Sequence, residues 1–120
     1  MPVDIKPAQA LTLTHDVAYA LVLGAGVDDV PDFSMRQLAM LLTIYLEPPP
    51  HTVRGMAKKL GVTKPVITRG LDTMGKHDLV ARRRDEKDRR NVVIQRTVKG
   101  ALFVEKLGDL VVEKARELPR

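Results

Sequence analysis

The sequence contains no cysteine and no tryptophan, and aromatic residues make up only 3% of its 120 residues. Without sulfur ligands, a disulfide scaffold, a cysteine-ligated zinc finger, a redox motif or a thiol nucleophile is excluded. The longest uncharged apolar stretch, 17–27, is shorter than the roughly 20 residues that cross a bilayer. No basic segment before an apolar run marks a secretion signal. We therefore expect a single cytoplasmic domain.

The formal net charge of +5 is distributed unevenly along the chain. Residues 1–50 carry two bases against six acids, a net charge of −4, whereas residues 51–100 carry fourteen bases against five acids, a net charge of +9. Residues 101–120 are neutral. Such a separation within one small domain predicts a basic surface for a polyanion, and nucleic acid is the polyanion it favours.

Apolar residues recur with helical periodicity, so we predict a mainly α fold. An N-terminal helix ends at the glycines of 24–26, and the loop 28–32 follows it. Ser34 and Gln37 have the spacing of a capping box that begins the next helix, which the prolines 48–50 end. A last helix begins at Thr97. The predicted apolar stripes are Leu11, Ala18, Leu21 and Val22 in the first helix, and Val98, Ala101, Leu102, Leu107, Leu110, Val111 and Leu118 in the last.

Two short helices lie close together in the centre of the chain. Thr52 can cap the first, Gly61 can end it in a left-handed conformation, and Thr63 can cap the second. Two helices separated by a tight glycine-containing turn predict a helix-turn-helix unit. The inward stripe of the second helix is Val66, Ile67, Leu71 and Met74, which turns Lys64, Thr68, Arg69, Asp72 and Lys76 outward.

This outward face has the chemistry of a major-groove reader, although an ordinary solvated helix face is the alternative. An arginine can bond bidentately to guanine, and a threonine offers a hydroxyl and a methyl group to thymine or phosphate. Gly70 and Gly75 lie inside the same helix, where each costs about 1 kcal/mol relative to alanine. We therefore expect the helix to depend on tertiary packing.

A basic hairpin is predicted after the helix-turn-helix, with strands at 79–84 and 91–96 and a charged tip at 85–90. Six bases fall within nine residues, beside three acids: Arg82, Arg83, Arg84, Lys87, Arg89 and Arg90. A twisted ribbon in this place is a wing, and an arginine at its tip can enter a narrow minor groove. Asp88 can hold a neighbouring arginine by a charge-assisted hydrogen bond. A self-neutralised, solvated hairpin is the alternative.

Together these units predict a winged helix-turn-helix fold, mainly α with a two-stranded β-wing. Residues 34–100 resemble the winged-helix core of the MarR family of bacterial transcription regulators. The segments 60–63 and 68–72 resemble the family's turn and recognition helix. The segments 85–91 and 97–100 resemble its wing signature and the start of its next helix.

The resemblance implies a homodimeric regulator, expected to be a repressor, that binds a palindromic operator in double-stranded DNA. It implies that Arg90 is the minor-groove arginine, that Asp88 is its positioning partner and that Arg89 contacts the DNA backbone. Lys76 and Arg84 are further expected contacts. The residues that the resemblance places at the major groove are Thr63, Lys64, Thr68 and Arg69.

The predicted organisation has three parts. Residues 1–33 and 97–120 are dimerisation helices, and residues 34–96 are the DNA-binding core, with a recognition helix at 64–77 and a wing at 79–96. Asp78 stands where the family usually has glycine, so we expect it to adopt a left-handed conformation. Arg96 stands where the family tends to have an apolar residue. The terminal helices are shorter than is usual for the family.

Other chemistry has little support in the sequence. His15, His51 and His77 are far apart, and no glycine-rich phosphate loop or nucleophile elbow is present, so we expect no metal, no cofactor and no enzymatic activity. Two other functions fit the same charge pattern: a winged-helix adaptor whose basic face meets an acidic protein, and an architectural DNA binder without sequence preference. No membrane partner is expected, and whether a small-molecule effector binds stays open.

Overall fold

A computed structural model describes residues 4–24 and 32–119, which form helices and one small antiparallel sheet. The predicted loop 28–32 and the glycine at position 26 lie, wholly or largely, outside these residues. The elements are α1 (Pro7–Val22), α2 (Met35–Leu46), β1 (His51–Thr52), α3 (Val53–Leu60), α4 (Lys64–Lys76), β2 (Val80–Arg84), β3 (Val92–Arg96) and α5 (Val98–Arg116). This architecture confirms the predicted winged helix-turn-helix, with one additional short strand.

The described residues divide into two compact units. The terminal unit contains α1 and the second part of α5, and the central unit contains residues 32–104. Ser34 begins α2 through the predicted capping box: its hydroxyl accepts from the Gln37 N–H at 3.0 Å, and its own N–H donates to the Gln37 side chain at 2.9 Å. This pairing satisfies two N–H groups that a helix start otherwise leaves without partners.

The turn between α3 and α4 follows the predicted pattern. The Thr52 hydroxyl accepts from the Gly55 N–H at 2.9 Å and so caps α3. Gly61 ends α3 with φ 66°, a left-handed conformation that suits glycine because it has no Cβ. Thr63 occupies the capping position of α4, but its side chain makes no capping hydrogen bond. The capping hydrogen bond that the sequence predicted for the Thr63 hydroxyl is therefore absent.

The sheet has the strand order β1-β3-β2. β2 and β3 form the predicted hairpin, with Val80 opposite Arg96 and Arg84 opposite Val92. β1 adds two residues to the other edge of β3, where Thr52 lies opposite Val93. The sequence did not predict β1, because a two-residue strand is too short to show alternation. Its pairing places the start of α3 beside β3, one residue from the pair of Arg84 and Val92 at the tip end of the hairpin.

The core of the central unit is built around α4. Ile67, Leu71 and Met74 are fully buried, as their helical spacing predicted. Burial of such a side chain stabilises the fold by about 1.5–3 kcal/mol relative to leaving it exposed. The other buried apolar side chains of this unit are Met40, Leu41, Ile44, Val53, Met56, Ala57, Leu79, Val80, Ile94 and Phe103. α4 therefore has the tertiary support that its two glycines require.

A hydrogen-bonded junction connects α2, the hairpin and α5. The Tyr45 hydroxyl donates to the Leu79 carbonyl at 2.6 Å and accepts from the Thr97 N–H at 3.0 Å. The Thr97 hydroxyl donates to the Asp78 carbonyl at 2.7 Å and accepts from the Gly100 N–H at 2.8 Å. A Cβ on Gly100 would collide with the Tyr45 hydroxyl and the Leu79 carbonyl. The spacing of Thr97 and Gly100 thus has a packing reason.

The two departures from the family pattern have clear structural roles. Asp78 has φ 57°, the left-handed conformation that the sequence predicted for it. Arg96 donates from Nε to the Ile44 carbonyl at 2.7 Å and from Nη2 to the Glu47 carbonyl at 2.8 Å. Its guanidinium also lies 5.8 Å from the centre of the Tyr45 ring. Arg96 therefore satisfies carbonyls at the end of α2, which an apolar residue could not do.

Several apolar residues predicted on helix stripes face solvent in this chain. Val98 is 81% exposed and Leu102 is 54% exposed, whereas the neighbouring Phe103 is buried and meets the ring of Phe33 edge to face at 6.0 Å between centroids. In the terminal unit, Ala20, Leu107 and Leu110 are buried. Its exposed large apolar residues are Leu11, Tyr19, Val22, Leu23 and Val112.

Among the helices of the described ranges, none combines the length and the apolar character that a membrane span requires.

Candidate nucleic-acid interface

The outward face of α4 carries the predicted base-reading side chains. Thr68 and Arg69 are exposed, while Ile67 and Gly70 on either side of them are buried. Lys64 and Thr68 are four residues apart, so their side chains lie along one line of the helix. Thr63, at the capping position, and Lys76, in the last turn, are also exposed. The core thus holds the backbone of α4 while five polar side chains stay available to a ligand.

The tip of the hairpin presents one arginine in a defined orientation. The Asp88 Oδ1 atom accepts from the Arg90 backbone N–H and from Arg90 Nε, each at 3.1 Å. The Arg90 side chain is 86% exposed. Because only Nε is used, the two terminal amino groups of the guanidinium remain free to bind a ligand.

The charge of Asp88 is matched to this task. The hydrogen bond from the Arg90 side chain lowers the pKa of Asp88 most, and the Arg90 backbone N–H lowers it further. The nearby charge of Arg54 contributes in the same direction. Asp88 therefore stays ionised as an acceptor well into the acidic range, which keeps the hydrogen bond to Arg90 charge-assisted.

Other contacts within the tip order its backbone. Arg84 Nη1 donates to the Arg89 carbonyl at 2.8 Å, and the Lys87 N–H donates to Asp85 Oδ1 at 3.0 Å. Arg84 is thus partly committed to the hairpin, whereas the exposed Arg89 side chain has no recorded hydrogen bond among the described residues. Two of the three acids at the tip, Asp85 and Asp88, accept hydrogen bonds that order the tip. These contacts explain why acids are present in a basic segment.

One ion pair connects the two candidate DNA-facing elements. Arg82 Nη2 in β2 lies 2.6 Å from Asp72 Oδ1 on the outward side of α4. The side chains are 34% and 51% exposed, respectively. Neither residue was among the predicted contacts, and their pairing was not predicted because it joins residues ten positions apart on different elements.

Two basic residues that the sequence did not assign to the interface lie beside it. Arg36 lines a surface cleft of about 230 Å³ together with Arg69, Met40 and Gly70. The charge pattern did not assign Arg36 to the interface, because this residue lies in the acidic first fifty residues. In the fold it is the second residue of α2. In the folded chain the basic surface therefore extends beyond residues 51–100.

Arg54 is the second such residue. It lies in the first turn of α3, next to β1, and the pairing of Thr52 with Val93 places it toward the tip end of the hairpin, where its charge acts on Asp88. It makes no ion pair within residues 4–24 and 32–119. Over the same residues, no cluster of three histidine, aspartate or glutamate side chains could hold a metal ion.

Comparisons with known proteins agree with this geometry. The MarR family model matches residues 33–92, half of the chain. The fold is similar to the transcriptional regulator Tm0710 of Thermotoga maritima, with a TM-score of 0.70 and 20% identity over 90% of this chain and 70% of that one. No curated protein sequence matches the chain significantly.

Two solved complexes with DNA have the same fold. A variant of S. aureus MepR bound to an oligodeoxyribonucleotide has a TM-score of 0.74 and 21% identity over 90% of this chain and 74% of that one. The transcriptional repressor CouR, bound to a 23-mer DNA duplex, has a TM-score of 0.69 and 21% identity over 92% and 72%. At these identities the likeness shows a shared fold.

Proposed function

We propose that this chain, which belongs to the MarR family, is a DNA-binding transcription regulator that acts as a homodimeric repressor on a palindromic operator. One observation carries the proposal. A single compact unit contains α4, which is held by buried residues and has an exposed outer face, and the exposed Arg90, which Asp88 orients. The MepR variant and CouR, which share the fold, are bound to DNA in their structures. The proposed activity is binding alone, in the cytoplasm, with no catalytic step.

In the proposed complex, α4 enters the major groove. Arg69 is placed to bond guanine O6 and N7, and Thr68 to contact a thymine methyl group or a phosphate. Thr63 and Lys64 stand at the start of the helix, where side chains of a recognition helix reach base edges. Lys76, in the last turn, is assigned to a phosphate and so to affinity without sequence preference.

The hairpin is assigned to the minor groove beside the α4 site. A narrow minor groove concentrates negative potential and attracts an inserted arginine. Arg90 fits this role because Asp88 holds its Nε and leaves its terminal amino groups outward. Arg89 and Arg84 are assigned to the flanking phosphates, where their charge releases counterions.

The dimer is assigned to the terminal unit. Three of its exposed apolar side chains, those of Leu11, Tyr19 and Val22, lie on α1 and would be covered by a second copy. A two-fold dimer presents two recognition helices, so the operator should contain two half-sites about one helical turn apart.

Selection of duplexes from a random-sequence library tests the function. Wild-type protein should enrich a palindrome, and its affinity should fall with salt at a slope of about −0.9 per phosphate contacted. Arg69→Ala should relax the preference at one base position by about 1–3 kcal/mol, whereas Lys76→Ala should weaken all duplexes alike. Affinity without enrichment would indicate an architectural DNA binder, and no affinity for any duplex would contradict DNA binding itself.

A further inference from the structure

Asp72 is an acid in an unfavourable place for a DNA-binding helix. It lies three residues after Arg69 and four after Thr68, so it shares their side of α4. Its side chain is 51% exposed. A carboxylate on this face repels phosphates, and a simple charge argument predicts that its removal would strengthen DNA binding.

The partner of Asp72 is Arg82, whose side chain projects from the core-facing side of the hairpin. Arg82 lies opposite Ile94, which is buried, and directly opposed residues of an antiparallel pair project from the same face of the sheet. The Arg82 side chain therefore leaves β2 on the face that Val80 and Ile94 bury. Only 34% of it is exposed, and its Nη2 atom meets Asp72 at 2.6 Å.

This ion pair joins two elements that must bind different grooves at once. The α4 backbone is held by its buried residues, but the recorded side-chain contacts of the hairpin tip are internal to the tip. Arg82 and Asp72 provide a direct side-chain link between α4 and the middle of β2. Small changes in the angle of the hairpin would displace Arg90, which lies beyond the end of that strand.

We propose that Asp72 is a positioning residue that acts through Arg82 to set the orientation of the wing relative to the recognition helix. The proposal rests on the proposed function, because orientation matters only if both elements bind one DNA duplex. Asp72 itself touches no DNA in this account. Its benefit is that Arg90 reaches the minor groove while α4 occupies the major groove.

The decisive variant is Asp72→Asn, which keeps the shape of the side chain and removes its charge. We expect affinity for the duplex selected by the wild-type protein to fall about two- to fivefold, the range for a partly exposed ion pair. Glu86→Gln is the matched control. It also removes one acid near the proposed DNA surface, but Glu86 has no recorded partner among the described residues, so its loss should leave affinity unchanged or raise it.

Two further readouts separate positioning from general stability. Asp72→Asn should weaken protection of the minor-groove flank in hydroxyl-radical footprints, while α4 still protects guanine N7 in the major groove from dimethyl sulfate, and Asp72→Glu should restore the minor-groove protection. In a double-mutant cycle, Asp72→Asn with Arg82→Gln should weaken binding no more than the worse single change. Additive losses would overturn the proposal, because they would mean that Arg82 binds phosphate independently.

The outcomes also distinguish this proposal from the proposed function. If wild-type protein binds its selected duplex and Asp72→Asn binds as well or better, as Glu86→Gln should, the positioning role is wrong and the function stands. If wild-type protein binds no duplex, both fail together. The melting temperature of each variant, measured in parallel, should change by only a few degrees, because a partly exposed ion pair contributes little to folding.

Discussion

The two elements that we propose to face DNA, both in the central unit, are held in place by different forces. The proposed recognition helix, α4, buries Ile67, Leu71 and Met74 completely. The tip of the wing buries no side chain, and its recorded contacts are hydrogen bonds and one ion pair, among them those between Asp88 and Arg90. Charge screening by salt weakens exposed ion pairs, whereas it does not weaken apolar burial.

This difference predicts a division of labour between the elements. The position of α4 belongs to the global fold and should be lost only when the protein unfolds. The orientation of Arg90 depends on a local contact that salt, acid or a single substitution can weaken without unfolding the domain. Base reading in the major groove should therefore be robust, and minor-groove binding should be adjustable.

The largest effect should come from the junction of α2, the hairpin and α5, which anchors the base of the wing. In Gly100→Ala the new Cβ would collide with the Tyr45 hydroxyl and the Leu79 carbonyl. We expect a loss of about 1–3 kcal/mol or more in the free energy of unfolding, measured by urea titration. Gly108→Ala, on the same helix with no atom near the added Cβ, is the control and should gain up to about 1 kcal/mol. Equal responses would contradict the packing role of Gly100.

A charge-conserving change tests the wing. Arg90→Lys keeps the positive charge but removes the Nε–H that Asp88 accepts, so the cation loses its defined direction. We expect affinity for the selected duplex to fall about five- to tenfold, or roughly 1 kcal/mol, with stability unchanged. Arg83→Lys, in the same hairpin but without a recorded partner among the described residues, should change affinity less. Similar losses in both would argue against a special role for Asp88.

The recognition helix can be strengthened without touching its readout. Gly75 lies in α4 with no atom within reach of an added Cβ. Gly75→Ala should raise the free energy of unfolding by up to about 1 kcal/mol, because alanine loses less backbone entropy in a helix. Affinity for the selected duplex should stay the same in a parallel titration. A loss of stability would contradict the open space that the structure has beside Gly75.

A smaller effect is expected at the cleft shared by Arg36 and Arg69. If Arg36 binds a phosphate beside the recognition helix, Arg36→Gln should lower the magnitude of the salt slope by about 0.9 and weaken all duplexes alike. Lys6→Gln, the other basic residue of the first fifty, lies in the terminal unit and is the control. A slope that changes equally in both variants would place neither residue at the interface.

The smallest effect concerns the charge of Asp88. The Arg90 side chain lowers the pKa of Asp88, so the contact should persist in mild acid and be lost only as the pH falls through that lowered value. In Arg90→Gln the main cause disappears while the backbone N–H remains. The pKa of Asp88, followed by NMR titration, should rise toward its ordinary value. An unchanged pKa would show that the side-chain hydrogen bond is absent in solution.

Much of the fold could be read from local signals. Three predicted features depend only on neighbours within one or two turns, and the structure confirms them. They are the capping box at Ser34, the left-handed glycine at position 61 and the spacing of the buried residues in α4. The left-handed Asp78 also followed from its place in the motif. The DNA-contact roles of the side chains remain predictions.

Contacts between distant segments were not readable in the same way. β1 is too short for a pattern, and its pairing depends on where β3 lies. Arg36 belongs to an acidic segment in the sequence but shares a cleft with Arg69 in the fold. The helical spacing placed Val98 and Leu102 on the apolar stripe of the last helix, but both side chains are exposed. Their exposure depends on which side of α5 faces Phe33.

Periodicity, capping residues and the uneven charge were enough to predict a winged helix-turn-helix with a basic central segment, because caps and periodicity depend on near neighbours and a charge sum needs no contacts. The tertiary structure alone decided which charges stand together: Asp72 with Arg82, Arg96 with the end of α2, and Arg36 with Arg69. Such pairings join side chains across different elements, and their distances depend on how the helices and the sheet pack. No count of charges along the chain contains that information.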